Sequence, residues 1–329
     1  MKVLVTGSSG FIGTNFCEKF HNSRRYDIVA VDCRPPREEF PGVVYETADL
    51  RDREAIRRVV QASEPAIVVH LAAQARVEPS LVNPGETYQR NVAGTVNLLE
   101  ATLDGRKDLE CFVYASSETV YGPATEYPTP ETSALHPQSA YAASKAACEL
   151  LVRNVNGLPY LILRSAMGYG PRSNPREQVV AKFLAKALRD EPILFPQDVP
   201  KHLHPTRDIN YVQNYLEAMD RALVAGAEGI FNVGSGQETS ILDLASEIVE
   251  LVGSGSITFD SHFQYRSGEL GLRTWLDTGR ASEAFGYRPR ITRRDGLVGT
   301  LDWLSRNPDY WSRAETALGV ASTAVGRAA

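Results

Sequence analysis

No stretch of this chain holds the roughly eighteen consecutive apolar residues that a membrane-crossing helix needs. Its N-terminal Met-Lys-Val-Leu-Val-Thr-Gly stays apolar too briefly for a signal peptide, so a cytoplasmic protein is expected. Lys and Arg form no block and the net charge is -5, which leaves no electrostatic footprint for nucleic acid or for an anionic membrane. Cysteine is sparse. Cys17, Cys33, Cys111 and Cys148 are scattered, with neither a C-x-x-C nor metal-ligand spacing, and read as free buried thiols in a reducing compartment. His202 and His204 make an H-x-H pair without a third ligand in sight, so no metal is expected. Internal repeats are absent as well. What remains is an ordinary globular composition, 43% hydrophobic and 23% charged, in 329 residues, enough for two domains or one large one.

The first informative stretch is Lys2-Val-Leu-Val-Thr6, a β-branched run, followed by Gly7-Ser-Ser-Gly10-Phe-Ile-Gly13 and a helical pattern through Phe16 and Phe20. A strand, a glycine-rich turn and a helix in that order form a dinucleotide site, because glycines let the backbone approach a pyrophosphate whose charge meets the helix N-terminus. Ile28-Val-Ala-Val-Asp32 reads as a second strand ending in an acid about twenty residues beyond the turn. A carboxylate there accepts from both ribose hydroxyls and repels a 2′-phosphate, which argues for NAD over NADP. Val43 to Tyr45 and Ala66 to Leu71 supply two more strands, and the second leads into a loop of small residues, Ala72-Ala-Gln-Ala, suited to lie against a flat ring. His70 is expected to be packed in its strand. An amphipathic helix is expected from Pro84 to Leu103, with Gly94 marking close approach of another backbone or of the coenzyme.

Cys111 to Gly122 is an apolar run that ends in hydroxyls and a carboxylate, Ser116, Ser117, Glu118 and Thr119. It is followed by Tyr141-Ala-Ala-Ser-Lys145 at the start of a helical pattern. At spacing i and i+4 the two side chains share a helix face, about 5–6 Å apart at Cβ, so an ammonium can sit near a phenol and favour the phenolate. Strands alternating with helices over this region imply an α/β fold with a doubly wound parallel sheet of the Rossmann type. Composition changes after Tyr160-Leu-Ile-Leu-Arg164. The coenzyme domain is expected over 1–165 with about 206–233, and a smaller α/β substrate domain over 166–205 with 234–311. Residues 312–329, rich in small side chains, are expected to form a mobile tail.

Thr6 to Gly13, Asp32, His70-Leu-Ala-Ala-Gln74, Ser116 to Gly122, Tyr141-x-x-x-Lys145, Tyr169-Gly-Pro-Arg172 and Arg207-Asp208 occur in one order. As a set they resemble the extended short-chain dehydrogenase/reductases that modify nucleotide-sugars, and the likeness runs to about residue 305. The resemblance implies that Tyr141 takes the proton of a sugar hydroxyl while its carbon gives hydride to bound NAD. Lys145 would anchor the nicotinamide ribose and acidify the phenol, and Ser117 would hold the reacting oxygen. It also implies coenzyme contacts from Gly7, Gly10, Phe11, Ile12, Gly13, Asp32, Asp49, Leu50, Leu71, Ala72, Ala73, Gln74, Asn91 and Ser116, with Asp49 capping the adenine. Substrate contacts would come from Arg76, Ser117, Met167, Arg172, Phe195, Arg207, Arg266 and Glu269, with Arg207 on the diphosphate and Phe195 against the base. Relatives of this kind pair into homodimers through the helices that here begin near Pro84 and Tyr141.

Three residues separate the possible activities. Dehydratases and decarboxylases of the resembled family carry a glutamate just before the Val of this motif, where this chain has Thr119. UDP-galactose-type 4-epimerases carry Ser, a small residue and Thr, which matches Ser117 and Thr119 but not Glu118. Met167 also stands where an Asn or Thr is common. The resemblance therefore implies an NAD-dependent 4-epimerase working through a transient 4-keto sugar and enzyme-bound NADH, with a UDP-sugar as substrate. A 4,6- or 5,6-dehydratase, or a decarboxylase, with Glu118 as acid stays open. So does a nucleotide-sensing protein without catalysis.

Overall fold

The structure, a computed structural model, describes residues 1–23, 25–104, 109–176, 178–266 and 268–311. The tail expected to be mobile lies outside the described residues. Strands β1 (Lys2–Thr6), β2 (Asp27–Asp32), β3 (Val44–Thr47), β4 (Ile67–His70), β5 (Cys111–Ser117) and β6 (Tyr160–Ser165) alternate with helices α1 (Phe11–Phe20), α2 (Arg53–Ser63), α3 (Val77–Val82), α4 (Pro84–Tyr88), α5 (Gly94–Asp104) and α6 (Ala140–Arg153). The remainder comprises strands β7 (Met167–Tyr169), β8 (Pro192–Pro196), β9 (Thr206–Tyr211), β10 (Gly229–Val233), β11 (Glu238–Ser240) and β12 (Ser256–Asp260), and helices α7 (Val179–Leu188), α8 (Val212–Val224), α9 (Ile241–Val252), α10 (Gly279–Phe285) and α11 (Arg293–Arg306).

Seven strands form one sheet in the order β10-β6-β5-β4-β1-β2-β3. Every neighbouring pair in it is parallel. Side chains alternate faces along a strand, and this sorts the core into two layers. Val3, Val5, Val69, Val113, Leu161 and Leu163 face α1 and α8, where they meet Phe16, Phe20, Leu216 and Met219. Their neighbours Leu4, Val68, Phe112, Tyr114 and Ile162 face the other way, against Ile56, Val60, Leu98, Cys148 and Val152. Each such side chain stabilises the fold by roughly 1.5–3 kcal/mol relative to leaving it in water. The strand order reverses between β1 and β4, and in open sheets of this kind the crevice beyond the carboxyl ends at such a point receives ligands.

The second core joins Val180 and Leu184 of α7, Phe195 of β8, Leu244 and Ile248 of α9 and Leu297 of α11. It carries a three-stranded sheet, β11-β9-β7, and the two-stranded β12-β8. The segment from residue 206 was expected in the coenzyme domain, but β9 pairs with β7 and β11, so the return to the large sheet begins only with α8 and β10.

Two further differences concern the stretch after Pro84. The single expected helix is interrupted by a π-helical turn, Gln89–Ala93, between α4 and α5. There the Asn91 carboxamide is engaged with Gln74 and Ser144, and the Thr95 hydroxyl donates to the Asn91 carbonyl. At Gly94 a Cβ would lie 3.0 Å from Leu50 Cβ and 3.9 Å from the Leu50 backbone carbon, so the close neighbour within the chain is Leu50, its side chain first. Cys33 also departs from expectation, since it is exposed while Cys17, Cys111 and Cys148 are buried.

Candidate functional site

The glycine turn sits at the carboxyl end of β1 and is packed to contact. Gly7 has φ +75°, and a Cβ there would lie 2.6 Å from the Ala72 nitrogen; one at Gly13 would lie 2.2 Å from the Gly7 carbonyl oxygen. Larger side chains would push the loop after β4, or helix α1, away from the turn. Asp32 ends β2 beside it, buried, accepting from Ser9 N at 3.1 Å and from Arg34 N at 3.0 Å. Thr6, His70 and Thr95 form a buried chain, with each ring nitrogen of His70 2.8 Å from a threonine hydroxyl. Burial lowers His70 to about 3, so the ring is neutral and structural.

The loop after β4 is clamped from behind. Asn91 accepts from Gln74 N at 2.6 Å and donates to the Gln74 carbonyl at 3.2 Å and to the Ser144 hydroxyl at 2.8 Å. The Gln74 carboxamide is buried with neither its oxygen nor its nitrogen hydrogen-bonded. Orphaned polar atoms of this kind are rare in folded proteins unless a ligand completes them. Together with the glycine turn and Asp32, they fit a bound dinucleotide.

Tyr141 and Lys145 enter on α6, whose first turn is capped by the Ser139 hydroxyl accepting from Ala142 N. The Ser117 hydroxyl lies at the end of β5, close enough to the phenol to lower its pKa, and receives the Thr119 hydroxyl at 3.1 Å. Tyr141 keeps a partly exposed face, yet its phenol lies deep. Burial pushes it up to about 12, the Glu118 charge adds to this and Ser117 opposes it. Lys145 was expected to acidify the phenol, but its ammonium donates to the Ala115 carbonyl at 2.6 Å and stands 6.0 Å from the Tyr141 ring centre. Burial lowers this ammonium to about 8, with Cys148 and Glu149 acting in the opposite sense.

Glu118 follows Ser117 in a short 3-10 turn and is buried. Desolvation raises its carboxyl to about 8, Asp208 adds to the rise, and Arg207 and Thr274 counter it. Arg207 donates to the carbonyls of Thr206 and Leu272, and the charges of Glu118 and Glu269 oppose the effect of its burial. Met167 opens β7 and pairs with Ile209, partly exposed.

Other expected contacts lie elsewhere. The Ser116 hydroxyl donates to Glu149, which also holds Arg164 in a buried pair at 2.6 Å, so that side chain braces β5 against α6 and does not face a coenzyme. Phe195 is 1% exposed and packs edge-on against His204, with Phe183 and Phe259 around it, so it cannot stack on a base without the core opening. Arg172 is buried and pairs with Glu18 at 2.8 Å and Glu38 at 2.5 Å, which removes its guanidinium from any substrate. Asp49 is gripped by Arg51 at 2.7 Å. Arg266 is exposed and pairs with Glu78 of α3, while its backbone nitrogen meets Glu269. Arg76 is exposed at the start of α3. Thr274 and Trp275, which line a crevice with Glu118, were not singled out from the sequence. They lie in a polar stretch without periodicity, where no sequence pattern singles them out.

Among the described residues no helix is long and apolar enough to cross a membrane. The model of a family described as the NAD dependent epimerase/dehydratase family matches residues 3–234. A low-salt glycan biosynthesis protein of Haloferax volcanii is 32% identical over 92% of this chain and 98% of its own length. A dTDP-glucose 4,6-dehydratase of Xanthomonas campestris is 31% identical over 93% of this chain and 94% of its own. Among solved structures, a UDP-glucose 4-epimerase of Thermus thermophilus in complex with NAD superposes with a TM-score of 0.83 at 32% identity, covering 93% of this chain and 99% of that one.

Proposed function

This chain belongs to the NAD dependent epimerase/dehydratase family, and we propose that within it the protein is a nucleotide-sugar 4-epimerase acting on a UDP-sugar. One observation carries this reading. At position 119 stands a hydroxyl, donated to Ser117 at 3.1 Å, where a dehydratase needs a carboxylate to take the proton next to the keto carbon. The glycine turn, Asp32 and the Gln74 loop would hold NAD, which would supply a reversible hydride acceptor for C4. The chain's own groups manage the proton and the pose. Tyr141 takes the C4 hydroxyl proton and later gives it back. Ser117 holds the sugar oxygen, with Thr119 fixing the direction of its hydroxyl. Lys145, fastened to Ala115, would present its buried ammonium to the coenzyme ribose. Arg207 and Arg266 would meet the diphosphate, the second by leaving Glu78.

A second reading, a dehydratase, is favoured by Glu118, whose buried carboxyl holds its proton up to about 8 and could give it to a departing hydroxyl. NMR of the purified protein with UDP-glucose separates the two. Inversion at C4 with no loss of water is the expected result, and a 4-keto-6-deoxy or alkene signal would replace the first reading by the second. A second copy of the chain is the proposed partner. Leu81 is 64% and Val82 87% exposed on α3, and Leu150 on α6 is 52% exposed, which supports an apolar contact along these helices.

A further inference from the structure

Behind the catalytic turn, Glu118, Gly122, Thr129, Thr274 and Trp275 line a narrow crevice. Three of its polar atoms are buried without a hydrogen-bond partner: Glu118 Oε2, Thr274 Oγ1 and Trp275 Nε1. Thr274 lies close enough to Glu118 to lower its pKa, yet neither atom makes a bond of ordinary geometry. An orphaned buried polar atom is destabilising, so three on one crevice mark a place that a guest atom completes. The space admits about one oxygen-sized atom. The walls are held in place. Thr129 N donates to the Trp275 carbonyl at 2.7 Å, Asp277 N donates to the Thr129 carbonyl at 2.9 Å, and Leu276 N donates to Asp208.

We infer that this crevice is a one-oxygen subsite for the hydroxymethyl arm of a hexose, with Trp275 and Thr274 as the residues that select it. The inference rests on the nucleotide-sugar reading above. The indole N–H can only donate, so the guest must accept; a threonine hydroxyl can do either. A hydroxyl satisfies both, a methyl group neither. A carboxylate brings two oxygens into room for one. Position also points to the arm. Glu118 follows Ser117 in the turn that ends β5, so the crevice and the hydroxyl that faces the sugar are walls of one turn. The ring carbon next to C4 bears the hydroxymethyl group, whose oxygen can reach into a slot too narrow for the ring itself.

The test uses the full chain with NAD and compares UDP-glucose, UDP-6-deoxyglucose and UDP-xylose by kcat/KM and by Kd. Loss of the hydroxyl should cost roughly tenfold or more in kcat/KM. Trp275→Phe, which keeps a ring and removes the N–H, should bring the glucose to 6-deoxyglucose ratio down toward one. Thr274→Val serves the same purpose if the first variant folds poorly. A wild-type ratio near one, or a ratio that both variants leave alone, overturns the subsite and reduces the crevice to a water pocket. If none of the sugars turns over, the Kd ratio decides: a retained preference for UDP-glucose keeps the subsite and discards the epimerase reading, and no preference discards the subsite.

Discussion

The Lys145 ammonium lies 6.0 Å from the centre of the Tyr141 ring while donating to the Ala115 carbonyl at 2.6 Å, so the cation is tied to β5 and not to the phenol oxygen. The phenol accordingly stands at about 12 by burial, and the chain alone does not make it a base at neutral pH. Acidification would have to come from a positive charge that bound NAD brings. Tyr141→Phe should lower kcat by at least about a hundredfold. NAD should still bind, as followed by quenching of protein fluorescence. Turnover at the wild-type rate would take Tyr141 out of the mechanism.

Glu118 links stability to pH. Its carboxyl is raised from 4.5 to about 8, so the folded protein binds this proton more tightly than the unfolded chain does. The contribution is complete below the unfolded value and disappears as pH rises through about 8. Glu118→Gln cannot ionise. Between about pH 5 and about pH 9, the variant should gain on wild type by on the order of a few kcal/mol in urea unfolding. A constant difference across that range would mean that the carboxyl is not desolvated. The same variant should retain epimerase turnover, whereas a dehydratase would be crippled by it.

Much of the large sheet was legible because its strands are short apolar runs punctuated by glycine and acid, and because Gly7 and Asp32 mark the ends of the first two. The parallel sheet and the NAD-dependent family follow from that order. Long-range pairings were not legible. Arg172 follows the same Tyr-Gly-Pro turn that carries substrate contacts in the resembled family, but nothing local tells that Glu18 and Glu38 fold back onto it. Phe195 illustrates the same limit, since an aromatic at the end of a strand reads equally as platform or as core until its neighbours are known. The π-helical turn escaped because an amphipathic pattern runs through it with little change of phase.

Arg172 makes a sharp contrast between binding and folding roles. It has a left-handed backbone, φ 67°, which costs a non-glycine residue about 1 kcal/mol, and its guanidinium also lies over the Trp303 ring at 5.2 Å. Arg172→Ala should destabilise the protein by roughly 3 kcal/mol, seen as a lower Tm. KM for UDP-glucose should stay close to wild type. A raised KM with an unchanged Tm would return this residue to the substrate.

The proposed pairing of two copies can be checked in solution. Val82→Asp places a charge on the most exposed of the large apolar side chains along α3 and α6. Sedimentation at micromolar concentration should show a dimer for wild type and a shift toward monomer for the variant. Wild type sedimenting as a monomer would sink the proposal.

The place of β10 in the large sheet has a consequence for biosynthesis. Gly229–Val233 covers the outer edge of β6, yet it leaves the ribosome only after the whole of β7, β8 and β9. Throughout that interval a nascent chain carries a bare parallel edge, open to pairing with a neighbour on the same polysome. Translation speed across this interval, and chaperone supply, therefore bear on the yield of native protein.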